Sequence, residues 1–541
     1  MISELIDAGD GLLLTLPELL RRQVDVMGEA SLLVCDDDVL SYTEADARSA
    51  RVAKGLLAIG AGKGTHVGLL FPNGPDFVTS WLAACRIGAI GVPISTFSTS
   101  AELRVLLDGA DVEVLLSTAS YRSHDYIAAL QDAVPGFDLT GDPPVFSVSL
   151  PSLRHLAFTP QVGRAERWSI ESLEERGAAV SDEVLRKVEA AVSLSDRFVI
   201  VHTSGSTSRP KGVIHTHGAL IRHTNNLNEL RRFSAGEILF SNSPFFWIGG
   251  LAYALLGALV AGGRLVCSNA PDAAGVLDLL ERERPAMVNG FAQSVAHLPS
   301  DPSFPARDLS SIRRGNLFPI MPTDVRPVDP ELRHAMLGMT ETGSVCLLSA
   351  DESDQPEHRR GSFGRPAPGF EAVVFDPDAG ALCSTNELGE LLLRGPFMME
   401  GYYGLERHEV FDENGWYHTG DLVTVDQDGY FYFKGRRGEM IKTAGANVSP
   451  REVEAAIREV ADLRSHVVGI DDLARGQIVG ALVVVPTGGS VDAEGLRARL
   501  SDHLSTYKVP RRIRLVGEDE VPVMSSGKLD LLALKELLSE P

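Results

Sequence analysis

Between residues 48 and 107 the spacing of apolar positions changes period several times. A helical spacing gives way to the unbroken apolar run HVGLLF, then to a second helical stretch, DFVTSWLAACRIG, the run AIGVPI and a further helical stretch. Short apolar runs between amphipathic helices are strands covered on both faces, so this alternation predicts a parallel α/β layer. A second α/β series runs from residue 198 to about residue 348. Within it LAYALLGALVAGGRLV, residues 251–266, is short for a membrane span and is broken by Gly262, Gly263 and Arg264. It predicts a buried helix followed by a strand. Residues 120–195 are less regular, with a loop-like GDPP and an acidic, Arg-containing stretch that reads as a solvated pair of helices.

Residues 361–428 are rich in Gly, Pro and short apolar runs, and the turns DENGW and DQDGY separate them, which predicts β structure. After residue 438 the pattern changes again: NVSPREVEAAIREV reads as a helix, VVGI and ALVVVP as strands, and DLLALKELL as a closing helix. The prediction is an α/β protein. A large N-terminal domain, residues 1–437, combines α/β layers with a β-rich subdomain, and residues 438–541 form a small α+β domain.

A chain of 541 residues exceeds what one hydrophobic core supports, in keeping with that division. Fifty basic against 73 acidic side chains leave a formal charge of -23, which opposes binding to nucleic acid or to an anionic membrane surface. Any anionic ligand must be held by local groups. Five cysteines without a C-x-x-C pair argue against a zinc site or a disulfide framework, and the acidic MISELIDAGD lacks the features of a signal peptide. A cytoplasmic protein without membrane insertion is expected.

The segment FVIVHTSGSTSRPKGV, residues 198–213, carries the strongest chemical signal. An apolar strand runs into a loop of glycine and hydroxyl residues. Gly205 lets backbone N–H groups approach an anion, Thr203, Ser204, Ser206 and Thr207 add hydroxyl donors, and Lys211 adds charge. Those are the needs of a triphosphate, although the G-x-x-x-x-G-K-[ST] spacing of a P-loop is missing. Further on come LGMTET, residues 337–342, GWYHTGDLV, residues 415–423, GRRGEMIKTAGANVSPREVE, residues 435–454, and PVMSSGKLD near the C-terminus.

These segments, in this order and over nearly the whole chain, resemble the ANL superfamily of adenylate-forming enzymes: acyl-CoA synthetases, luciferases and adenylation domains of carrier-protein systems. The resemblance implies that the loop at 203–207 with Lys211 binds the ATP phosphates, although Ser208 stands where a glycine is usual and His202 where an aromatic is usual. It implies that Thr340 contacts the α-phosphate and Glu341 ligates Mg²⁺, a hard cation suited to carboxylate oxygen. Asp421 would bind the ribose hydroxyls, Arg436 and Lys442 would lie near the nucleotide, and Lys528 would swing in to neutralise charge during adenylation. The small domain is then a mobile lid. Its hinge position is Gly438, where Asp or Lys is usual.

By the same resemblance SPFFWIGG, residues 243–250, lines the acid pocket, with Phe246, Trp247 and Gly249 at its wall and Gly315 and Gly338 contributed by later segments. Trp247 stands where many relatives carry histidine, and a rigid ring there favours a small or medium acid. Residues 313–337 depart further: Asn316, Leu317 and Phe318 are bulky, and Pro319, Pro322, Pro327 and Pro330 interrupt the helix usual beside adenine. The implied function is ATP-dependent conversion of a carboxylic acid to an acyl-adenylate, then transfer to the thiol of coenzyme A. A carrier protein's phosphopantetheine is the alternative acceptor, and a non-catalytic nucleotide-binding descendant is the alternative of another class.

Overall fold

The computed structural model describes residues 13–134, 139, 141, 143–159, 166–203, 210–437, 440–443, 446–472, 475–486, 491–504, 508–524 and 529–539. The chain divides into two compact units: Met1–Glu371 with Arg394–Asn414, and Ala372–Leu393 with Gly415–Pro541.

In the first unit the apolar runs are strands buried on both faces, as their unbroken hydrophobicity requires. His66–Leu70 and Ile90–Pro93 pair in parallel and are buried throughout. They belong to a seven-stranded sheet whose far edge is His155–Phe158, in the stretch where the sequence predicts no strand. The helix before the first of these, Tyr42–Ala58, starts at a Ser41 capping box, and the helix between the two, Pro75–Arg86, starts at Pro75, both helix-opening signals. The solvated helix pair is present as Ile170–Gly177 and Asp182–Ala190.

A second, six-stranded sheet contains Ser31–Cys35, Arg264–Cys267, Ile238–Phe240 and Met287–Val288, and ends at Arg314–Gly315. Trp81, Phe198, Phe245 and Leu255 lie fully buried in one core with residues of both sheets. The apolar stretch before Arg264 is helical as predicted, but its first part, Gly249–Leu256, has π-helical bonding before Gly257–Ala261 continues as α-helix. No helix among the described residues is long and apolar enough to cross a membrane.

The second unit carries most of a five-stranded sheet built on Glu371–Asp376, Gly389–Arg394, Tyr417–Val425 and Phe431–Arg436, of which Glu371 and Arg394 fall in the first unit. It also contains the α+β pattern of the C-terminal segment. Helix Pro450–Ala461 buries Val453 and Ile457 against the hairpin of Arg464–Asp472 and Gly476–Val484. Leu534 and Leu538 of the closing helix Leu531–Ser539 form a separate cluster with Val468, Leu482 and Val484 of the same hairpin.

Candidate active site

The phosphate-loop segment is a β-hairpin. Arg197–Thr203 pairs antiparallel with Lys211–Thr216, so Thr203 faces Lys211 at the loop mouth and His202 faces Gly212. Ser204, Gly205, Ser206, Thr207 and Ser208 lie outside the described residues. The ends of the loop are anchored by strand residues 198–201, all essentially without exposure. Glycine is required at 212, because a Cβ there would meet Ile200 Cγ2 at 2.7 Å. Burial pushes the His202 imidazole down to about 4, leaving it neutral at pH 7, so Lys211 supplies the positive charge.

Lys211 is tied to the LGMTET segment by a residue that belongs to none of the sequence motifs. Gly401–Tyr402 pairs with the free edge of the Lys211–Thr216 strand, and the Tyr403 N–H donates to Gly212 O at 2.7 Å. This brings the Tyr402 ring beneath the Lys211 ammonium, 4.8 Å from Nζ to the ring centroid, a cation–π distance. The Tyr402 hydroxyl donates to Glu341 Oε1 at 2.7 Å. Thr340–Thr342 is a single 3-10 turn between strands Leu337–Met339 and Ser344–Leu348, closed by Gly343 at φ 68°. His215, inward-facing on the lysine's own strand, lies 2.7 Å from Thr340 O. A carbonyl only accepts, so Nε2 carries the proton, and burial pushes that imidazole down to about 4. Lys211, Thr340 and Glu341 therefore sit in one network, with Thr203 across the hairpin. Tyr402 and His215 escape sequence reasoning because strand pairing alone brings them to the turn; only the aromatic pair in GYYG offers a cue.

No group of three or more His, Cys, Asp or Glu side chains among the described residues could hold a metal alone. A single carboxylate, Glu341, fits Mg²⁺, which commonly takes one or two protein carboxylates and completes its shell with phosphate oxygens and water.

At the expected acid pocket Phe246 and Trp247 pack edge-on at 5.5 Å, Phe97 meets Phe246 at 5.5 Å and Trp247 at 6.4 Å, and Phe291 meets Trp247 at 5.5 Å. Phe97 and Phe291 come from loops that carry no sequence signal. A Cβ on Gly249 would meet nothing within 4 Å, so that wall faces open space. Gly315 and Gly338 have packing reasons of their own: a Cβ would lie 1.9 Å from Val288 O and 2.5 Å from Ser344 O respectively. The proline-rich segment forms only the short 3-10 turns Phe318–Ile320 and Pro330–Leu332. The Asn316 side chain closes the preceding loop, donating to Gly290 O at 2.9 Å and accepting from Gly290 N at 3.0 Å.

In the second unit Asp421 and Arg436 are register partners on adjacent strands, and Arg436 Nε donates to Asp421 Oδ1 at 2.8 Å. Asp421 is 2% exposed. Its N–H donates to Thr419 Oγ1 at 3.0 Å, and that hydroxyl donates to Leu391 O at 2.8 Å, which fixes the strand around the carboxylate. Lys442 lies in strand Ile441–Thr443, its side chain outside the described residues, as are Gly438 and Lys528.

Residues 20–403 match the family model of AMP-binding enzymes, and residues 452–528 match that of the AMP-binding enzyme C-terminal domain. The chain is 27% identical over 533 residues to the putative acyl-CoA synthetase YngI of Bacillus subtilis, covering 96% of each chain. It is 32% identical over 501 residues to a feruloyl-CoA synthase of Amycolatopsis sp, covering 91% of this chain and 92% of that one. Among solved structures, the anthranilate CoA ligase AuaEII in complex with anthranoyl-AMP shares the fold at TM-score 0.78 and 22% identity, with 98% of each chain covered. The protein is a member of the AMP-binding enzyme family, within the ANL superfamily of adenylate-forming enzymes.

Proposed function

We propose that the chain is an AMP-forming acid–CoA ligase acting on a small carboxylic acid. The observation that supports this reading is the Lys211–Tyr402–Glu341 arrangement, in which one tyrosine beside the phosphate-loop mouth contacts both an ammonium and a carboxylate from separate segments. A triphosphate with its cation needs both.

In this reading the acid's carboxylate attacks the α-phosphorus of ATP, a C–O–P mixed anhydride forms, and pyrophosphate leaves. The coenzyme A sulfur then attacks the acyl carbon and AMP leaves. Thr203, Ser204, Gly205, Ser206, Thr207 and Lys211 bind the phosphates, Thr340 orients the α-phosphate, and Asp421, Arg436 and Lys442 bind the nucleoside side. Mg²⁺ held by Glu341 would supply charge neutralisation at the phosphates. Lys528 bridges the carboxylate and the α-phosphate, from a lid of residues 438–541 hinged at Gly438. Phe246, Trp247 and Gly249 wall the acid pocket, and the feruloyl-CoA synthase relative favours compact, ring-bearing acids. Free cysteines, four of them buried, suit a reducing cytoplasm.

Incubation with ATP, coenzyme A and a panel of acids, followed by mass spectrometry, tests this. The expected products are acyl-CoA, AMP and pyrophosphate; production of ADP and phosphate instead would contradict it.

A further inference from the structure

Arg231 is 7% exposed and takes no part in the Lys211–Tyr402–Glu341 network. Its Nε and Nη2 both donate to Asn228 Oδ1, at 3.1 and 2.6 Å, while Nη1 is buried without a hydrogen-bond acceptor among the described residues. Asn228 is itself oriented by its amide donating to Gly257 O at 2.9 Å. Arginine stays charged in proteins, so this is a retained positive charge whose polar neighbours, among the described residues, are the Asn228 amide and the Tyr253 phenol, with no carboxylate hydrogen-bonded to it. A buried cation left so under-satisfied is costly, and packing alone would be served better by an apolar side chain of similar volume.

Its surroundings say what the charge is for. The guanidinium lies on the Tyr253 ring, 4.1 Å from the centroid. Tyr253 belongs to the π-helical stretch Gly249–Leu256, which begins at the open pocket wall of Gly249. Tyr253 lies four residues farther along the same helical stretch and is buried. Its hydroxyl meets Met336 Sδ at 3.4 Å, and Met336 precedes the Leu337–Met339 strand that contains Gly338. The Tyr253–Met336 contact thus joins the two segments assigned to the acid pocket, with the under-satisfied guanidinium beside it. π-helical turns inside α-helices also occur frequently at functional sites.

We infer that Arg231 is a specificity-determining residue at the far end of the acid pocket, and that the preferred acid carries an oxygen acceptor, a carbonyl or a second carboxylate, at the end remote from the carboxylate that is activated. This inference rests on the ligase reading above. The remote oxygen accepts from Nη1, while the activated carboxylate stays at the mouth near Thr340 and Lys211. An acid lacking that oxygen leaves the donor unsatisfied and is disfavoured.

The test is acid-dependent ATP–pyrophosphate exchange with matched pairs of acids, one member of each pair bearing a remote ketone or second carboxylate and the other a methylene or methyl in its place, over several carbon skeletons. The wild type is expected to favour the oxygen-bearing member of at least one pair by ~10- to 10³-fold in kcat/KM, because a site built around a buried donor rejects the analogue that leaves it unpaired. Arg231→Met is expected to erase the preference while keeping or raising turnover of the member that lacks the oxygen; Arg231→Lys, which keeps the charge, is expected to retain part of it. Thermal unfolding verifies that both variants fold. Exchange without preference in the wild type, or equal loss on both members of a pair in folded variants, would overturn the inference and leave the ligase reading standing. Absence of exchange with every acid would overturn both.

Discussion

The residue on which the arrangement turns is Tyr402. Its ring and its hydroxyl serve two different partners, so the two contributions separate chemically. Tyr402→Phe keeps the ring under Lys211 and removes the hydrogen bond that holds Glu341. A hydrogen bond to a charged group contributes about 1.5–3 kcal/mol, so kcat/KM for Mg·ATP is expected to fall ~10- to 100-fold. The half-saturating Mg²⁺ concentration should rise while the unfolding temperature stays within a few degrees. An unchanged Mg²⁺ dependence in kinetics titrated with the metal would show that Tyr402 does not position Glu341. At this scale the sequence marks Lys211 as a candidate because the glycine and hydroxyl loop stands next to it in the chain, and the fold sets it in one network with Glu341. Tyr402, Phe97 and Arg231 were not legible, because each gains its meaning from a partner that only the fold brings near.

Among the elements, the hairpin strand Lys211–Thr216 and the helix after it, His217–Leu230, carry three buried histidines. Burial pushes His215 and His217 down to about 4 and His223 to about 3. Unfolded imidazoles protonate near pH 6.5, so below that pH the unfolded chain binds protons that the folded chain refuses. Stability is full above about pH 6.5 and declines as pH falls toward 4, by on the order of 3 kcal/mol for one fully buried imidazole such as His215. The unfolding temperature should be level above pH 7 and drop between pH 6.5 and 5; a level profile across that window would mean these histidines are protonated in the fold. The elements themselves were largely readable from period: HVGLLF and AIGVPI contain strands, and NVSPREVEAAIREV contains the helix Pro450–Ala461, its first two residues closing a strand instead. The edge strand His155–Phe158 was missed because it is short and lies in a polar stretch, where pairing with Val114–Ser117 rather than its own pattern makes it a strand. The π-helical turn was missed because its hydrophobicity is that of any buried helix.

At the scale of the molecule, the proposed two-step chemistry would require one chain to hold Lys528 near the α-phosphate and then to admit a thiol. In that proposal the hinge is Gly438; a glycine carries no side chain to fix a resting position, and its φ/ψ freedom would suit rotation. Gly438→Pro fixes φ near −65° and is expected to preserve either adenylation or thioester formation but not both. Equal loss of the two half-reactions, measured separately, would remove Gly438 from that role.

The most direct test of acid activation uses no coenzyme A. Labelled pyrophosphate should enter ATP only when a suitable acid is present, and Lys528→Ala should slow that exchange by orders of magnitude, as expected for a principal electrostatic stabiliser. ATP binding with no acid-dependent exchange across a broad panel would contradict adenylation and favour a nucleotide-binding protein without catalysis.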